Sequence, residues 1–221
     1  MSRRFDRFID ALGSTIVSER ACNQYSRIEG DLRGNAIRRR NLRLYLDELD
    51  RIGPRALLIG EAPSYRGGRL TGIAFVSEAV MLGGVDSVIL GADHRYRKAT
   101  PGPKLSTEAS ATMVWETIRR IEPLPMLWNA FPFHPFRPGN PQSNRAPSPA
   151  ELAIGGRFIE WLLRLFPFDT VVAIGNHASA SLTHLGIEHE KVRHPSQGGK
   201  QKFVAGMARV GCGSQPHRGK R

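Results

Sequence analysis

Apolar residues recur along this chain at two different periods. Phe5, Phe8, Ile9, Leu12 and Ile16 fall mostly three or four apart, which predicts a helix over residues 5–24. Ile37, Leu42, Tyr45, Leu46 and Leu49 continue in the same way and predict a second helix over 35–50. Arg38, Arg39, Arg40 and Arg43 decorate that helix and read as a solvated face, with a phosphate-facing role as the alternative. The pattern then changes to short runs at 56–59, 126–128, 170–174 and, least apolar of the four, 190–192. Continuous apolarity over a strand length is what a strand buried on both faces requires. Helical patterns intervene over about 75–83, 107–121, 150–165 and 176–185, and a last one follows over 199–209. Strands alternating with helices predict an α/β fold, a four-stranded parallel sheet with helices on both faces. The Pro-rich stretch 131–149 reads as a structured surface loop, and 211–221 as a disordered basic tail.

Composition narrows the class. The 221 residues are 40% hydrophobic, enough for one domain with a buried core. That domain is expected to span 1–210, with the helices of 1–50 packed on it. No apolar run approaches the ~18 residues of a membrane span, and the N-terminus lacks the pattern of a signal peptide. A cytoplasmic monomer with no membrane partner is the expectation. The formal charge is +12, and residues 191–221 contain no Asp or Glu. A polyanionic partner is the simplest explanation; a basic surface serving only solubility is the plainer one. Cys22 and Cys212 cannot complete a four-cysteine zinc or iron–sulfur site. His134, His177, His184 and His189 show no metal-binding spacing, so no metal or other cofactor is expected.

Open parallel sheets bind ligands beyond the carboxyl ends of their strands. Here that rule names 60–65, 129–134, 175–177 and 194–196, all rich in Gly, Asn, His and Ser. Gly60-Glu61-Ala62-Pro63-Ser64-Tyr65 leaves its strand in a turn that Gly60 permits and Pro63 stiffens, and turned amides can bind a carbonyl oxygen or an anion. Gly72-Ile73-Ala74-Phe75 brings back an aromatic ring suited to stacking on a flat base. Asn129 ends a strand in an amide that can donate to a ring carbonyl of uracil and accept from its imide N–H; cytosine presents the opposite pattern. His194-Pro195-Ser196 supplies an imidazole that can stabilise negative charge on a departing base. The segment after it, Gln197-Gly198-Gly199-Lys200, opens a helix whose N-terminus suits a phosphate.

In this order and spacing the segments resemble the uracil-DNA glycosylase superfamily. Gly60–Tyr65 with Gly72–Phe75 is similar to its first motif, Asn129 to its uracil-reading Asn, His194-Pro195-Ser196 to its second motif, and Gly175-Asn176 to a further glycine-containing strand end. The likeness covers about residues 54–210. It implies a three-layer α/β/α sandwich, no cofactor, and removal of uracil from DNA to leave an abasic site and free uracil. Three positions depart from the best-known branch. Ala62 stands where that branch has a water-activating Asp, Ser64 where it has a Tyr that blocks thymine, and Gly198 where it has a wedging Leu. An iron–sulfur branch carries a catalytic carboxylate three residues beyond the Phe, which here is Glu78.

The resemblance therefore implies His194 as the residue that stabilises the leaving group. Glu78 is the first choice for positioning water or facing the sugar cation, and Glu61 the second. A reaction that needs no carboxylate is the third possibility. Asn129, Phe75, Ala62, Gly60 and Tyr65 would meet the base. Ser64, Ser196 and Lys200 would meet DNA phosphates, and Gln197, Gln201 or Arg145 would fill the gap left by the flipped base. Asp86 and Asp93 read as loop or capping residues. Three rival readings stay open: a non-catalytic protein that binds damaged DNA, a glycosylase for another base such as hypoxanthine, and a general basic RNA-binding module.

Overall fold

The computed structural model describes residues 3–210; the tail expected at 211–221 lies outside the described residues. A short 3-10 turn leads into α1 (Asp6–Ser14). There follow β1 (Ala21–Cys22), α2 (Leu32–Ile52), β2 (Ala56–Gly60), α3 (Gly68–Thr71), α4 (Glu78–Gly83), α5 (Ala109–Ile118), β3 (Met126–Asn129) and β4 (His134–Pro135). The chain continues through α6 (Pro149–Leu165), β5 (Thr170–Ile174), α7 (Asn176–His184), β6 (Glu190–Val192) and α8 (Lys200–Val210). The main sheet has the order β3-β2-β5-β6 and is parallel throughout. With helices on both faces it is a three-layer α/β/α sandwich. Among the described residues no helix is long and apolar enough to cross a membrane.

The register decides where the carboxyl ends fall. Gly60 is paired with Asn129, Ile59 with Ala173 and Ile174 with Val192, so all four strands finish along one rim. The pairing runs on past the strands: Ala130 N–H donates to Gly60 O at 2.8 Å, and Phe131 N–H to Glu61 O at 3.0 Å. These two bonds hold the turn after β2 against the end of β3. On the free side of β3, Leu127 N–H donates to the buried Tyr45 hydroxyl at 3.0 Å, so α2 covers that strand edge. Leu57, Leu58, Ile59, Met126, Leu127, Trp128, Val172 and Ala173 form the centre of the core. Phe8 of α1 packs edge-on to Phe158 and Trp161 of α6 and tilts against Trp128.

Three expectations change in detail. The first helix ends at Ser14 and not near residue 24. Thr15 turns its hydroxyl back to Ala11 O, the following β-branched residues favour extended backbone, and Ile16, expected inward, is 79% exposed. The helix expected over 75–83 starts at Glu78, because Phe75 has a φ of 54° and Ser77 caps the helix by accepting from Val80 N–H. The arginines of α2 form neither a solvated face nor a phosphate face. Arg38 is buried, donating to Leu70 O and Asn35 Oδ1, and Arg39 donates to Tyr25 O and Ser26 O. Arg40 donates to Arg95 O, and Arg43 is paired with Asp6 and Asp47. They fasten the long helix to the loops around it. The Pro-rich stretch is ordered in part by β4, which pairs antiparallel with β1.

Candidate active site

The rim of the sheet opens into a cavity of about 700 Å³. Its walls include Glu61–Ser64 after β2, Asn129 at the end of β3, Gly175–His177 after β5 and His194, Ser196 and Gln197 after β6. The parallel register alone brings these four distant segments together. Phe75, Glu108, Ser110, Asn144 and Arg145 close the sides.

Phe75 and Asn129 build one wall, and Gly60 lies against both of them. A Cβ placed on Gly60 would lie 2.7 Å from Asn129 Oδ1 and nearer still to the edge of the Phe75 ring. Only a residue without a side chain lets the ring and the amide approach each other there. Asn129 is 3% exposed, and its amide has no hydrogen-bond partner among the described residues. The amide opens to the cavity, so its donor and acceptor face the space a ligand would fill. Phe75 carries its own cost, since a positive φ is rare for a bulky residue. Its carbonyl is held by the Trp115 indole N–H of α5 at 2.9 Å. Sequence reasoning did not single out Trp115, because an aromatic on a buried helix face reads as ordinary core.

His194 stands opposite, with its ring centroid 6.3 Å from that of Phe75. Its Nδ1 is engaged twice, by Ser196 Oγ at 2.7 Å and Ser196 N–H at 3.2 Å. A backbone N–H can only donate, so Nδ1 accepts and the neutral ring carries its proton on Nε2. Burial, with Arg193 beside it, pushes the His194 pKa below the ordinary histidine value. At neutral pH the ring is thus an uncharged Nε2–H donor. Gly175 lets it approach: the φ of 94° favours glycine, and an added Cβ would lie 3.1 Å from His194 Cβ.

Three carboxylates behave differently. Glu78 is not brought to the cavity. It is 1% exposed, accepting from Thr100 Oγ1 at 2.5 Å and Ser106 N–H at 2.9 Å, so it ties α4 to the 98–106 loop. Helical periodicity turned it inward, a direction that its spacing from Phe75 did not reveal. Glu61 does line the cavity; burial raises its pKa, and His177 Nδ1 at 3.7 Å opposes that rise. Glu108, absent from the expectations, also lines it. Burial raises its pKa against a hydrogen bond from the Ser64 hydroxyl, and its carboxylate packs on Gly67. The pattern places it inside a helix expected over 107–121, but α5 starts at Ala109 and leaves Glu108 at the helix boundary, where periodicity does not set a side chain's direction. Asp86 pairs with Arg119 and is not part of the lining.

The residues expected to meet DNA divide in the same way. Ser64, Ser196 and Gln197 line the cavity. The Ser64 hydroxyl also accepts from Gly67 N–H at 3.0 Å, so it is engaged on both sides. Gln197 has a φ of 51° and Gly198 one of 71°, a tight left-handed step at the rim. Lys200 is paired with Glu116 of α5 at 2.7 Å, and Gln201 is exposed on α8. Ala62 lines the cavity; Tyr65 does not, but its N–H donates to Asn144 Oδ1 and its ring lies under Arg66. Arg145 borders the cavity with its guanidinium fully committed. Its five donors go to Phe136 O, Ala146 O, Arg20 O and both oxygens of the buried Glu151. An intercalating arginine would have to abandon all of them.

A sequence model of the uracil DNA glycosylase superfamily matches residues 46–209, which takes in the whole main sheet and every wall of the cavity. No curated protein sequence matches the chain.

Proposed function

This chain belongs to the uracil DNA glycosylase superfamily, a family of DNA glycosylases, and from that premise we propose that it hydrolyses the N-glycosidic bond of uracil in DNA. The products are free uracil and an abasic site. The observation that carries this reading is the Asn129 amide, which lines the cavity with no side-chain hydrogen bond among the described residues, in company with the Phe75 ring and the His194 N–H donor. An unpaired buried amide penalises any base that fails to complement it.

In this reading uracil leaves the DNA stack and enters the cavity against Phe75. Asn129 donates to O4 and accepts from N3–H. As the bond from C1′ to N1 breaks, both electrons pass to the base and negative charge gathers on O2. The His194 Nε2–H bonds that oxygen more strongly as the charge grows, which is differential stabilisation of the transition state. Neutral His194 suits this role, since Ser196 N–H needs the Nδ1 lone pair to stay in place. Glu61 is the acid placed to meet the sugar cation and to orient water. The water oxygen bonds to C1′, and its proton passes to the carboxylate and on to the leaving base. Ser196 and the left-handed step at Gln197 lie where the DNA strand would cross the rim. The net charge of +12 favours that encounter. We read the enzyme as a cofactor-free monomer of the cytoplasm.

The test is alkaline cleavage of a uracil-containing duplex after incubation with excess protein. Strand scission at the uracil, reduced by about 10²–10³ in His194→Ala, is the expected result. Binding of the duplex without scission would replace the enzyme by a damage-binding protein.

A further inference from the structure

His177 has no place in the mechanism just given, yet among the described residues it is the ion-pair partner of the Glu61 carboxylate. It follows Asn176, the first residue of α7, and its side chain is 74% exposed at the cavity, with Nδ1 3.7 Å from Glu61 Oε1. We propose that His177 is a positioning residue for Glu61: it holds the carboxylate ionised and directed into the cavity while the sugar cation forms. This rests on the glycosylase reading and on Glu61 as the acid that faces the cation.

Two features of the molecule lead there. First, Glu61 has no other side-chain partner among the described residues; its backbone carbonyl, by contrast, is fixed by Phe131 N–H. Its backbone is pinned and its carboxylate is steered by one imidazole. Second, the titratable groups around the cavity are Glu61, Glu108, Arg145, His177, Arg193 and His194. Arg145 is spent on Glu151, Glu108 faces Ser64, and Arg193 acts on His194. His177 is the one that acts on Glu61, opposing the desolvation that would otherwise favour the protonated acid. A protonated Glu61 neither attracts the cation nor accepts a proton from water, so the ionised fraction sets the rate on the acid side.

The experiment is single-turnover uracil release between pH 5 and pH 8.5 by the wild-type protein and by His177→Gln, His177→Arg, Glu61→Gln and the double variant His177→Gln/Glu61→Gln. His177→Gln is expected to move the acid limb to higher pH and slow the reaction about two- to fivefold at pH 5.5, the factor that an exposed ion pair supplies. The difference is expected to shrink towards pH 8.5. His177→Arg is expected to restore the low-pH rate, and Glu61→Gln to abolish the effect of His177→Gln. Superimposable profiles for the wild type and His177→Gln would overturn the inference while leaving the glycosylase reading intact. So would an equal shift in the Glu61→Gln background. Absence of uracil release by the wild type would overturn both.

Discussion

Gly60→Ala tests the wall on which the functional reading depends. The substitution adds one methyl group at a position where the backbone itself accepts alanine, since Gly60 is not among the residues of positive φ. The cost is therefore steric and local. The new Cβ would lie 2.7 Å from Asn129 Oδ1, against about 3.5 Å for ordinary contact, so the amide must withdraw by about 0.8 Å. The Phe75 ring edge, closer still, must move further. Overpacking of this kind costs about 1–3 kcal/mol of stability, or a fall in Tm of about 2–4 °C per kcal/mol for a chain of this size. Activity should suffer far more, because a misplacement near 1 Å at the reacting centre costs about 10²-fold. The assay is single-turnover release of uracil at saturating enzyme, with a thermal melt of the same sample. Removing the ring should relieve part of the strain, so Gly60→Ala/Phe75→Ala should lose less than the product of the two single effects. A Gly60→Ala protein that retains full activity would refute the reasoning, as base stacking could not then depend on the contact of Phe75 with Gly60 and Asn129.

Further outcomes follow from the same geometry. Asn129→Leu should lower uracil release by about 10²–10³ and leave Tm nearly unchanged, since the amide it removes opens to the cavity and makes no side-chain hydrogen bond among the described residues; a clearly lowered Tm in a heat melt would show that Asn129 is structural. Arg145→Ala should destabilise the fold by about 3–5 kcal/mol by leaving the buried Glu151 unpaired, and equilibrium unfolding measures it. The Glu151 pKa is pulled down to about 2, mainly by Arg145 and the backbone of Ser148 against the opposing cost of burial. The stabilisation from that carboxylate is accordingly complete above the unfolded value of about 4.3 and lost as pH falls towards 2; in Arg145→Ala this acid-side loss should be smaller. Glu78→Gln should lower Tm by loosening the 98–106 loop and leave the shape of the pH–rate profile unchanged; a displaced acid limb would restore Glu78 as a catalytic group.

The sequence by itself determined the class of fold and the identity of the four strand ends. Apolar runs bounded by turn residues marked three strands, with the less apolar 190–192 a weaker fourth whose Glu190 and Lys191 are exposed, and the alternation with helices left a parallel sheet as the simple solution. Polar residues gathered at every carboxyl end then marked the rim. Gly60, Asn129, Phe75 and His194 were legible because each sits at a fixed offset from a strand or a turn, where local pattern dictates direction. The tertiary structure decided which acids face the cavity. Along the chain Glu78 ranks ahead of Glu61, but a capped helix turns the first into the interior and a pinned turn leaves the second at the rim. The arginines of α2 read as a solvated or phosphate-facing surface and Arg145 as a gap-filling wedge until their acceptors, up to 125 residues away, are seen to consume them. Glu108 and His177 enter from a loop and a helix start that approach Ser64 and Glu61 only after folding. Long charged side chains reach partners set by packing and not by sequence spacing, and for that reason their roles depend on the folded molecule.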